Sequence, residues 1–148
     1  MTPCLVRGGG AFPEIDDFTE LAELVADRPD LFLRYSKGPD ADAASGPSRD
    51  YESGETMPGL SVTTIGPEPW WHRPAADWVA RRICKYAELG AERDRFPWLL
   101  TGRVVGQGPD HEPLVVDVVP VARIGPRALD AARRRYRERF DVGQDSRP

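Results

Sequence analysis

Two long β-rich runs, PWLLTGRVVGQ (residues 97–107) and LVVDVVPVARI (114–124), are separated only by GPDHEP. Runs this rich in Val, Leu and Ile around a Gly-Pro-Asp turn predict a hairpin or a pair of neighbouring strands. The chain is thereby committed to a sheet. Pro120 interrupts the second run and removes a backbone donor, which moves that strand toward a sheet edge or a bulge. Counting by twos, Glu112, Leu114, Val116, Val118, Ala122 and Ile124 share one parity, and Val115, Asp117 and Arg123 the other. If the strand starts at or before Glu112, that carboxylate leaves the sheet on the side of the core-facing residues. If it starts at Leu114, Pro113 is a hinge and Glu112 a free, solvated acid.

The remaining segments read in order. Asp17 can cap a helix over DDFTELAELVAD, with Glu20 three residues later, an apolar stripe of Phe18, Leu21, Leu24 and Val25, and Pro29 closing it. LFLRYS (31–36) alternates as a strand, with Leu31, Leu33 and Tyr35 opposite Phe32, Arg34 and Ser36. GLSVTTI (59–65) is a second, short strand. Between them, residues 37–59 are rich in Gly, Pro, Ser and Asp and lack any apolar period, which predicts a long loop. Structureless loops of more than about 12–15 residues are uncommon inside domains and tend to be either functional lids or disordered. AADWVARRICKYAELG (75–90) and GPRALDAARRRYRERF (125–140) have helical spacing, the latter aligning Leu129, Ala132, Tyr136 and Phe140 behind Pro126. Residues 1–14 read as a flexible leader and 141–148 as a frayed tail. The expectation is one α+β domain: a small, twisted, mainly antiparallel sheet, whole or split, packed by about three helices.

With 148 residues the chain can bury a core without staples. A net charge of -4 disfavours a polyphosphate or an anionic membrane surface as a whole-molecule partner. Cys4 and Cys84 have neither disulfide-framework nor zinc spacing, and His72 and His111 have no ligand spacing, so no metal is expected. No stretch approaches the ~18 apolar residues of a membrane span. A cytoplasmic protein follows. Lysine occurs only at 37 and 85 and asparagine not at all, a bias of GC-rich bacterial genomes.

LRYSKGPDAD, PGLSV, PWWHRPAADWVARR and PWLLTGRVVGQGPDHEPLV together resemble an uncharacterised family of small proteins from high-GC bacteria, a domain of unknown function. More distantly, the order of Arg34 on one strand, Ser61 in LSVTT, a helix ending in KYAEL and Glu112 at a late strand resembles the Arg, Ser, Glu arrangement of the ADP-ribosyltransferase superfamily. That resemblance implies NAD as cofactor, held by Arg34, Ser61 and Tyr86, with Ser61 and Glu112 catalytic. Arg34 would hold phosphate or ribose, Ser61 would steady the nicotinamide ribose, and Glu112 would stabilise the oxocarbenium. Asp110 stands where many members carry Glu or Gln, which leaves the acceptor of a transfer open. Cleaving an N-glycosidic bond to a cationic leaving group builds positive charge on the sugar, and one preorganised carboxylate meets that demand.

Two other functions compete. Trp70 and Trp71 sit together in a Pro-bounded link and could present a protein-interaction surface, or one ring could cap the core while the other covers the sheet. Arg133, Arg134, Arg135, Arg137 and Arg139 make the last helix basic enough to touch nucleic acid. Consecutive arginines point around a helix, however, and a solvated face partnered by Asp130 and Glu138 is the simpler reading.

Overall fold

The computed structural model describes residues 12–89 and 94–140, and the side chains of all of these except 86–89. The elements are β1 (Glu14–Ile15), α1 (Phe18–Asp27), β2 (Phe32–Ser36), α2 (Pro39–Ser45), β3 (Leu60–Ser61), β4 (Thr63–Thr64), α3 (Ala75–Leu89), β5 (Phe96–Gln107), β6 (Pro113–Ile124) and α4 (Pro126–Phe140). The fold is α+β. Most of the expected leader and all of the expected tail lie outside the described residues; Glu14, the leader's last residue, opens β1.

β5 and β6 form the expected antiparallel hairpin, and the sheet order is β1-β6-β5-β2-β4, with β3 also on β6. Among the described residues only the β1–β6 pair is parallel. The short strand expected over 59–65 is broken at Val62: β4 pairs with β2 at one side of the sheet, while β3 pairs with β6. One segment therefore bridges both sides and curls the sheet onto itself. Pro120 sits at a bulge, because Leu99 faces Ala122 and Leu100 faces Pro120, leaving Val121 unpaired. A second irregularity surrounds Asp117, which adopts a left-handed φ of 56°.

Strand alternation sends Leu33 and Leu99 to one face and Phe32, Trp98 and Leu100 to the other. The first face packs under α1 (Phe18, Leu21, Val25), α3 (Val79, Ala80, Ile83) and α4 (Ala128, Ala132). The second is the inside of the curl, filled by Trp98, Leu100, Leu60, Val62 and Val115. α1 starts as the sequence indicates, with the Asp17 carboxylate accepting from the N–H groups of Thr19 (2.8 Å) and Glu20 (3.3 Å). α4 buries Ala128 and Ala132, whereas Tyr136 and Phe140 of the expected stripe join an aromatic cluster at the helix end.

The segment 37–59, read from sequence as a long loop, is not structureless. It forms the seven-residue helix α2 and an isolated bridge between Arg49 and Thr56. Its polarity hid the helix: α2 buries no residue fully and is held by side-chain ties rather than by an apolar stripe. Among the described residues no helix is long and apolar enough to cross a membrane.

One cap is tertiary. Asp16, beside β1, accepts from the Arg127 N–H at the start of α4 (2.8 Å), and a Cβ on Gly125 would overlap that carboxylate. Gly125→Ala is expected to displace Asp16 and cost about 1–2 kcal/mol, the worth of a lost N-cap. Urea denaturation checks it; an unchanged midpoint would mean that the cap carries no stability.

Candidate functional site

Within a strand pair, alternate residues direct their backbone groups toward and away from the partner. Val62 donates to the Pro113 carbonyl, so the N–H and carbonyl of Ser61 turn away from β6, into the gap where β3 parts from β2. Unpaired groups there must be satisfied. The Ser61 N–H donates to Ser48 Oγ (3.0 Å), and its carbonyl accepts from Arg34 Nη1 (2.8 Å). A guanidinium thus takes the place of the missing strand.

The other side of that guanidinium is occupied by Asp42 of α2. Arg34 Nε and Nη2 donate to the two carboxylate oxygens at 2.7 and 3.2 Å, in the paired geometry that suits arginine. Both partners are largely buried, at 21% and 14% side-chain exposure. Asp42 also accepts from Ser36 Oγ (2.7 Å), and Ser36 in turn accepts from the Gly38 N–H (3.1 Å) and the indole N–H of buried Trp98 (3.0 Å). Ser36, Asp42 and Trp98 are parts of this network that sequence reading missed. Only their neighbours signalled it, through a serine closing a strand just before Gly-Pro-Asp.

On the other side, Ser61 Oγ donates to Glu112 Oε2 at 3.0 Å, and the Asp110 N–H donates to Glu112 Oε1, also at 3.0 Å. β6 begins at Pro113, one residue after Glu112, yet the acid is not a free one. A tight turn, with His111 at φ 66° and the Gly108 N–H donating to the Glu112 carbonyl (2.8 Å), folds its side chain back over Gly108. A Cβ on Gly108 would overlap that carboxylate.

Arg34, Ser61 and Glu112 are therefore joined by consecutive hydrogen bonds, although they lie far apart in sequence. None of the three lines the adjoining cleft. Arg34 reaches the main chain of Ser61, whereas the Ser61 hydroxyl leaves β3 on the face opposite Leu60. It is Leu60 that lines the adjoining cleft, a space of about 330 Å³ under α2 whose walls include Asp42, Pro58, Trp98, Val115 and Pro120. The side chain of Tyr86 lies outside the described residues.

The aromatic and basic features sit together at the far end of α3 and α4. Trp70 is 63% exposed, while Trp71 packs edge-on against Trp78 and stacks on Phe140. Arg81 lies 4.9 Å and 4.7 Å from the ring centres of Trp71 and Trp78. Asp77, 1% exposed, accepts from Arg135 Nε (2.7 Å) and Arg73 Nη2 (3.3 Å), with Arg139 Nε at 3.8 Å. Arg133 pairs with Asp130, as the solvated-face reading of α4 expects. Two of the arginines that made α4 look like a nucleic-acid surface are thus committed to an internal carboxylate.

Among the described residues no group of three or more His, Cys, Asp or Glu side chains could hold a metal ion. No curated protein and no solved structure matches the chain. A family profile does match, over residues 9–147, and with nearly the whole sequence covered the chain belongs to DUF6098, a family of unknown function.

Proposed function

We propose that this protein binds NAD and cleaves its nicotinamide N-glycosidic bond at the Ser61–Glu112 pair. The observation that carries the reading is the 3.0 Å hydrogen bond between Ser61 Oγ and Glu112 Oε2, with the Arg34 guanidinium bonded to the same serine's carbonyl. In this reading the bond between ribose C1′ and the pyridinium nitrogen breaks, and its electron pair leaves with neutral nicotinamide. Water adds to C1′ and loses a proton to solvent. Glu112 stands beside the positive sugar, and Ser61 orients both the carboxylate and the ribose. Arg34 acts as a positioning residue, because its fork is filled by Asp42 and a phosphate would have to displace that carboxylate.

A thermal-shift titration with NAD, run beside an assay for released nicotinamide, tests the proposal. The unmutated protein is expected to be stabilised by NAD and to release nicotinamide. Glu112→Gln keeps a carbonyl acceptor for Ser61, so it should still be stabilised but release about 10²-fold more slowly. Equal rates, or no stabilisation of either form, would overturn the reading. A second reading, a non-catalytic interaction module, is favoured by the exposed edge of Trp70 and would then take its place.

A further inference from the structure

Beside the cleft under α2 lies a second hollow of about 210 Å³, and the two share Pro39, Asp40 and Pro120 as a common wall. The chemistry changes along this groove. The larger space is bounded by Trp98, Leu60, Val115 and prolines, whereas the smaller one carries Lys37 and Arg123 beside Phe12 and Phe96. Both cations come from fixed anchors. Arg123 lies on β6 between β1 and β5, its guanidinium 4.0 Å above the centre of the Phe96 ring. Lys37 precedes Gly38, whose φ of 113° and close approach to Phe96, 2.9 Å for an added Cβ, admit only glycine; the Gly38 N–H is also tied to Ser36.

We propose that the Lys37–Arg123 hollow is an anion subsite, taking a phosphate group of a ligand whose flat ring lies in the adjoining cleft against Pro58, Val118 and Pro120. In the lining of the hollow two cations outweigh the single carboxylate of Asp40, which sits in the shared wall and is placed to accept from the hydroxyls of a sugar joining ring to phosphate; Glu14, the register partner of Arg123 on β1, is not part of that lining. The ligand class is a nucleoside phosphate. The inference goes beyond the glycosidic chemistry and does not need it.

Calorimetry at low salt with ADP and with adenosine tests it. ADP is expected to bind at least about tenfold more tightly than adenosine, since charge-assisted contacts to phosphate are the strong ones. Lys37→Glu, at an exposed position, and Arg123→Gln should each remove most of that advantage while leaving adenosine binding unchanged. Equal affinities, binding of neither compound, or an advantage that survives both substitutions would overturn the subsite. If ADP behaves as expected while no nicotinamide is released from NAD, the subsite stands and the catalytic reading falls.

Discussion

Asp77→Ala is expected to lower the free energy of unfolding by about 3 kcal/mol, a fall of roughly 10 °C in Tm for a chain of this size. Asp77, on α3, is the carboxylate around which α3 and α4 are joined: it is 1% exposed, and Arg135 and Arg139 approach it from α4 and Arg73 from the link before α3. Removing one partner of a buried pair costs about 3–5 kcal/mol when the charge left behind stays buried. Here the abandoned charges are arginines with partial access to water, Arg135 being 28% and Arg73 44% exposed, which places the loss at the lower end. The asymmetry is itself testable. Arg73→Ala leaves Asp77 with Arg135 and should cost about 1 kcal/mol or less. Thermal unfolding of the two variants side by side decides the matter; equal, small shifts would show that the helices are held by apolar packing alone.

Arg34→Ala is expected to be at least as damaging, about 3–5 kcal/mol, for a different reason. The substitution strands two groups at once: the Asp42 carboxylate, left with Ser36 Oγ as its remaining donor, and the Ser61 carbonyl in the gap between β2 and β3. Arg34→Lys restores the charge but not the planar fork that serves Asp42 and Ser61 together, so a loss of about 2 kcal/mol should persist. A double-mutant cycle with Asp42→Ala isolates the pair. Arg34→Ala in the Asp42→Ala background should cost far less than it does alone, because the stranded carboxylate is gone. Additive losses would mean that the guanidinium and the carboxylate are neighbours without coupling.

The two cases mark where sequence reading succeeds and where it stops. Alternation in LFLRYS puts Arg34 and Ser36 on one face, and the structure keeps them there, inside the curl with Trp98. Nothing local connects that face to Asp42, which lies in a polar segment with no apolar period. Its partner is specified by the split of the sheet at Val62, a feature of pairing between distant strands. The same holds for the arginines of α4. Their spacing showed a basic helix, but that Arg135 and Arg139 are turned toward an internal carboxylate depends on where α3 packs.

Glu112 shows both sides within one residue. Parity along the late strand raised the question of whether this acid faces inward, and the Gly-Pro-Asp turn before it was legible as a turn. The answer came from the left-handed backbone at His111, the bare Cα of Gly108 and the hydroxyl of Ser61, all brought together only when β3 docks on β6.

The sequence by itself determined the α+β class, the two long strands β5 and β6, a sheet edge or bulge at Pro120, the cap on α1 and the three longer helices. Each of these follows from apolar periodicity or from a single residue's backbone constraints, which act over a few positions. The tertiary structure alone decided the curl of the sheet, the helix inside residues 37–59, the network from Trp98 through Arg34 to Glu112, and the groove beside it. Those depend on hydrogen-bonding groups left over after local structure has formed, and their partners are chosen by which distant segments the folded backbone brings within reach.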